Sequence, residues 1–310
     1  MSELSTPPEF FPVFIRVAIV VLFSTVMVAV VSAIRHFGGR RDDGKEKAVS
    51  SLWARAGVWV VIALTILLTD AAGPLGFSLM LAAASVVAYG ELGRVAQRGG
   101  VPVSVHFGQG VSAILIVTAG FGDARIFGAT LFVALLSYFF AQILNPENDR
   151  LARVYGGLGI LLHLTLPLVL LVLLRFRPDG FAVVAWICLV VCFNDVMAMF
   201  GGLLVGRTPL FPRLSPAKTV EGTLLGLLGA LGAAALMRFV LPGPSDFVYY
   251  GASLALALAG CAGDLAASGL KRAAGVKDFG RILPGHGGIM DRLDSLLFAV
   301  PVGYILLSFF

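Results

Sequence analysis

The sequence predicts an all-α fold: a polytopic integral membrane bundle of about nine to ten transmembrane helices. Three observations carry that expectation. Of the 310 residues, 58% are hydrophobic and only 13% charged, where soluble domains carry roughly 25% charged residues. Apolar runs of about 20 residues, the length that crosses a bilayer as a helix, recur along the whole chain. Lys and Arg fall mostly between alternate pairs of those runs, as topogenic charges do.

Ten spans follow in order. The run from Val13 to Ile34 is long enough to cross, and no basic segment precedes it, so no cleavable signal peptide is read there. Residues 53–69 and 73–92 form the next two, with a short connection between them. The fourth, 103–120, is the weakest because it carries His106, Gln109 and several glycines. The remaining six are 126–144, 155–174, 181–203, 220–241, 247–270 and 293–309. The 37 glycines suit this class, since small residues let membrane helices approach closely. Cys188, Cys192 and Cys261 all lie within apolar runs and form no disulfide framework. Neither an internal repeat nor a low-complexity tract is present.

Orientation comes from the loops. Of the 23 Lys and Arg, 18 fall in one alternate set, at 35–55, 94–98, 150–153, 207–218 and 271–292; Arg16, Arg125, Arg175, Arg177 and Arg238 make up the other. The positive-inside rule puts the richer set in the cytosol and both termini outside. Removing one internal span would scramble this alternation.

Two carboxylates stand well inside predicted spans: Asp195 in "WICLVVCFNDVMAMFGG" and Asp264 in "LALALAGCAGDLAASGL". Ionisable groups at such positions are costly and usually functional. Both lie roughly 9–12 Å below the cytosolic face at ~1.5 Å per helical residue. Matched depth points to a shared metal site. The loop that follows, "KRAAGVKDFGRILPGHGGIMDRLDS" (271–295), gathers five Lys/Arg, three Asp, one His and five Gly. A topology signal needs only the positive charges. Asp291 and Asp294 are three apart where the last helix begins, so they are expected on one side of it. Hard oxygen donors suit Mg²⁺. Lys271, Arg272, Lys277, Arg281 and Arg292 can neutralise phosphates, and "PGHGG" lets backbone N–H groups approach an anion closely. A second cytosolic stretch contains "SPAKTVEG", which places Ser215, Lys218, Thr219 and Glu221 where a helix starts and offers N–H groups to phosphate.

These residues resemble the phosphatidate cytidylyltransferases, the CDP-diacylglycerol synthases. The family signature is similar to Ser268, Lys271, Arg272, Lys277, Asp278, "PGHGG" at 284–288, Asp291, Arg292 and Asp294, and the match is complete. The family's "SPxKTxEG" element is similar to 215–222, and its Asp-bearing element to 194–207. The resemblance covers about 181–310. It divides the chain into an N-terminal transmembrane region, 1–180, and a C-terminal catalytic transmembrane region, 181–310, with cytosolic loops 204–219 and 271–292. Three departures stand out: "NDVMAM" (194–199) where many bacterial members read Asp-Thr/Ser-Gly-Ala-Tyr, Val220 for the usual Trp, and Ala267 for the usual Glu.

The resemblance implies a membrane nucleotidyltransferase of phospholipid biosynthesis, converting CTP and phosphatidic acid to CDP-diacylglycerol and pyrophosphate. The implied catalytic set is Asp195, Asp264, Lys271, Lys277, Asp278, His286, Asp291 and Arg292. The implied substrate-binding set is Asn194, Arg207, Ser215, Lys218, Thr219, Glu221, Ser268, Arg272, Gly287 and Gly288. Asp264 and Asp291 are implied as the first Mg²⁺ ligands, then Asp195 and Asp294, with a second metal ion for which K⁺ is the candidate. His286 is open between nucleotide or phosphate contact and a structural role in the loop. The expected partners are CTP, phosphatidic acid and membrane lipid, with no nucleic acid; a homodimer is left open. The expected location is a membrane (the cytoplasmic one in a bacterium), with the active site facing the cytosol. The alternatives are a CTP-dependent polyprenol kinase and a cation-coupled transporter using Asp195 and Asp264.

Overall fold

The computed structural model describes residues 11–19, 64–66, 68–69, 72–144, 149–212, 214–241, 245–282 and 287–309. Most of the predicted spans 13–34 and 53–69 lies outside the described residues, and so do Arg213 and His286.

The other eight predicted spans are all helices. They are α1 (Gly73–Arg98), α2 (Val105–Ala119), α3 (Ala124–Ile143), α4 (Arg150–Leu174), α5 (Gly180–Val205), α6 (Val220–Met237), α7 (Asp246–Ala273) and α8 (Met290–Leu307). Six of them (α1 and α3 to α7) are long and apolar enough to cross a membrane. At ~1.5 Å per residue the 15 residues of α2 reach about 22 Å, short of a ~30 Å hydrocarbon core. The helix α8 opens with charged residues.

Local chemistry sets the ends. Pro74 at the start of α1 gives up an N–H that would be unpaired there in any case. Asp123 caps α3 by accepting from the N–H groups of Arg125 and Ile126. Thr219 caps α6 by accepting from the N–H of Gly222 at 3.1 Å. Within α4, residues Leu161–Thr165 form a π turn just ahead of Pro167. Proline cannot donate to the carbonyl four residues back, and widening the helix there accommodates the gap.

The best-buried helix is α5, which packs along α6 and touches α7 and α8. The pairs α7–α8 and α1–α2 form further close contacts, while α8 also reaches α4 and α1. By contrast α3 keeps most of its apolar surface outward, as a lipid-facing helix does. The apolar core thus runs through α1, α4, α5, α7 and α8.

One element departs from the all-α expectation. Pro209–Phe211 (β1) and Ser215–Thr219 (β2) pair as a short antiparallel ribbon ahead of α6. Pro216 disfavours helical backbone at Ser215, so the helix starts only after Thr219. Ser215 therefore sits in a strand rather than at a helix start.

Candidate active site

Three helices bring their acids to one place. Asp195 is ten residues from the end of α5 and Asp264 nine from the end of α7, so both lie about 14–15 Å down their helices. Asp294, on the second turn of α8, is buried. Asp195, Asp264 and Asp294 lie within electrostatic reach of one another. The approach of α7 to α8 depends on Gly263, where a Cβ would overlap the carbonyl of Asp294.

Each acid is held. Asp195 accepts from Ser295 Oγ at 2.9 Å and from Asn194 Nδ2 at 3.2 Å. Asn194 also reaches Cys261 Sγ, while its own Oδ1 is buried without a hydrogen-bond partner. Asp264 pairs with Lys218, which the ribbon delivers from β2. Asp291 accepts from Lys271 Nζ at 2.8 Å through one oxygen. Its other oxygen accepts from the backbone N–H groups of Phe279 and Gly288, at 2.9 and 3.0 Å.

Asp291 and Asp294 are thus both buried but engage different surroundings. A helical Cβ tilts towards the helix N-terminus. Asp291, in the first turn, reaches back under its own loop, whereas Asp294, one turn deeper, meets the acids of α5 and α7. Arg292 and Lys271 also lie within electrostatic reach of Asp294. Among the described residues no three His, Cys, Asp or Glu side chains stand close enough together to hold a metal ion in this arrangement. The donor chemistry nevertheless fits a hard divalent cation. Two of these acids are paired with lysine ammonium groups, Asp264 with Lys218 and Asp291 with Lys271.

The two loops flank this cluster. Glu221 accepts from the N–H groups of Arg207 and Thr208 and from Thr208 Oγ1, tying the ribbon's entry to the start of α6. Its carboxylate shapes that loop. Ser268 lies one turn beyond Asp264 and is half-buried. Arg272, Lys277 and Asp278 are exposed. Asp278 stands beside Gly287, whose φ of +80° is open to glycine without strain. Gly288 is buried. Ala267 is buried at 1% exposure, and Val220 faces outward.

Two contributors went unread in the sequence. Ser295 adjoins Asp294 and could have been found from its place one residue past a predicted ligand. Glu91, two turns before the end of α1, is fully buried and accepts from the N–H of Met290 at 2.8 Å. Its signal was a lone acid inside the predicted span 73–92.

A family model described as "Cytidylyltransferase family" matches residues 53–310. That match reaches well back into the region 1–180. The phosphatidate cytidylyltransferase of Staphylococcus aureus (strain COL) is 43% identical over 132 residues, covering 42% of this chain and 51% of the relative. That of Helicobacter pylori (strain ATCC 700392 / 26695) is 43% identical over 136 residues, 43% and 50% respectively. That of Bacillus subtilis (strain 168) is 43% identical over 132 residues, 42% and 49%. The chain spans about half the length of the curated relatives it matches.

Proposed function

The chain belongs to the cytidylyltransferase family, and from that premise we propose that it converts CTP and phosphatidic acid to CDP-diacylglycerol and pyrophosphate. The observation that carries this reading is the lysine-compensated acid cluster, with Lys218 on Asp264 and Lys271 on Asp291. In this reading an oxygen of the lipid phosphate attacks the α-phosphorus of CTP, the bond from that phosphorus to the bridging oxygen of the β-phosphate breaks, and pyrophosphate leaves with the electron pair. The nucleophile is already an anion, so no serine, cysteine or histidine base is required. The difficulty is to bring two polyanions together and to stabilise the leaving group.

The residues divide that work. Mg²⁺, held by acids drawn from Asp264, Asp291, Asp195 and Asp294, would supply charge neutralisation on the phosphates. Lys218 and Lys271 pass from carboxylate to substrate phosphate. Exposed Arg272 and Lys277 gather CTP at the mouth. Ser295 and Asn194 hold Asp195 in one orientation.

Several apolar helices fit a multi-pass membrane protein. With bacterial relatives, the reading places it in the cytoplasmic membrane with loops 204–219 and 271–292 in the cytosol. A lipid phosphate at the bilayer surface and CTP from the cytosol would meet at the depth of the acids. Purified protein supplied with labelled CTP and phosphatidic acid tests the proposal: label should appear in lipid, and its absence would reject the reading.

A further inference from the structure

We infer that Glu91 is a positioning residue for the loop that carries Asp291, so that the N-terminal half of the chain sets the geometry of the proposed site. What the loop does rests on the proposed function; that Glu91 holds it rests on contacts alone. Glu91 is 0% exposed and lies 199 residues from Met290, whose N–H it accepts at 2.8 Å. The loop backbone approaches this carboxylate at two points: a Cβ at Gly280 or at Gly288 would overlap it. The N–H of Gly288 points to Asp291, and so does that of Phe279, the residue before Gly280. Lys271 completes the line.

A buried carboxylate is costly, and this one leaves Oε1 without a hydrogen-bond partner. Leucine would fill the same volume at no such cost. What leucine lacks is an acceptor for the Met290 N–H at the point where the loop becomes α8. Glu91 thereby fixes the turn on which Asp291 is the second helical residue. Misplacing a reacting group by about 1 Å can lower a rate by about 10²-fold.

The test uses the full chain in lipid nanodiscs. Amide hydrogen exchange over 279–290 and steady-state kinetics are measured for Glu91→Ala and Glu91→Gln. Glu91→Ala should speed exchange in that segment while leaving α5 unchanged, and should lower kcat by about 10–10²-fold with a smaller change in KM for CTP. The amide oxygen of Glu91→Gln still accepts from Met290, so loop protection and most of kcat should return. If Glu91→Ala cannot be purified folded, Gly288→Ala pushes on the same contact from the loop side and should speed the same exchange. Wild-type exchange in the Ala variant, or in Gly288→Ala, would overturn the inference. So would a Gln variant with a fully protected loop and the low kcat of Ala, because the charge and not the contact would then be what matters. If the wild type transfers no cytidylyl group, the functional reading falls, while the exchange result still decides the role of Glu91.

Discussion

Lys218 Nζ lies 2.6 Å from Asp264 Oδ2, joining the end of a surface ribbon to the middle of a membrane helix. Both side chains are mostly buried, at 25% and 32% exposure. Removing one partner of such a pair leaves an uncompensated charge in a poorly solvated place. In the proposed reaction Lys218 leaves Asp264 for a substrate phosphate, which gives the pair a functional reading beside the structural one.

The two readings separate in a variant series. Lys218→Met and Asp264→Asn should each lower kcat/KM by about 10²-fold and lower Tm by a few degrees, in line with ~1 kcal/mol for a partly exposed pair. The double variant Lys218→Met/Asp264→Leu should recover Tm without recovering activity. Thermal unfolding in detergent and a label-transfer assay read the two effects. Full activity in the double variant would leave the pair with only a structural role.

Asp195 and Asp294 face Asp264 from α5 and α8. Asp195→Asn and Asp294→Asn should each lower kcat at saturating Mg²⁺ by about 10²-fold and raise the Mg²⁺ concentration for half-maximal rate. Ser295→Ala, which removes only the hydrogen bond to Asp195, should cost about tenfold or less. An unchanged Mg²⁺ titration in both Asn variants would remove these acids from the proposed metal site.

The hydropathy of the sequence carried eight helices to within six residues of their ends, because span length is dictated by bilayer thickness. Asp195 and Asp264 were legible because a charge is rare in such a helix. The different engagements of Asp291 and Asp294 were not legible. Spacing places both on one side of a helix, and only the start of α8 at Met290 decides which turn each occupies. Glu91 was hidden for another reason. An acid near a span end reads as an interfacial residue, and its partner lies 199 positions away. The ribbon was missed because its three- and five-residue strands are too short for any periodicity to register.

Gly263 sets how closely α7 and α8 approach, since any Cβ there would press on the Asp294 carbonyl. Gly263→Ala should destabilise by about 1–3 kcal/mol. It should also lower activity by more than the folded fraction accounts for, because it separates Asp264 from Asp294. Tm and activity per folded molecule are the measurements. An unchanged Tm would show that the two helices can part without cost.

Orientation is tested by thiol labelling. Phe211 and Arg281 are exposed and belong to the two loops expected in the cytosol. Phe211→Cys and Arg281→Cys should react with an impermeant maleimide in inside-out vesicles, above the baseline of the three native cysteines. Neither should react in intact cells. Labelling of either from outside intact cells would reverse the topology.

The reaction type turns on which phosphorus of CTP is attacked. A cytidylyltransferase and a CTP-dependent lipid kinase share Mg²⁺, basic residues and a lipid acceptor, so loss of Asp264 would silence both. They differ in the acceptor. A kinase acting on a polyprenol must deprotonate a neutral hydroxyl, and three of the four acids near the centre already hold lysine or hydrogen-bond partners. Asp264 is bound by Lys218, Asp291 by Lys271 and two amides, and Asp195 by Ser295 and Asn194. An anionic phosphate acceptor needs no base and gains from the same lysines. Label placed in the α-phosphate of CTP should therefore enter the lipid, with pyrophosphate released and no turnover of polyprenol. Label entering the lipid from the γ-phosphate, with CDP as the co-product, would assign the chain to the kinase reaction instead.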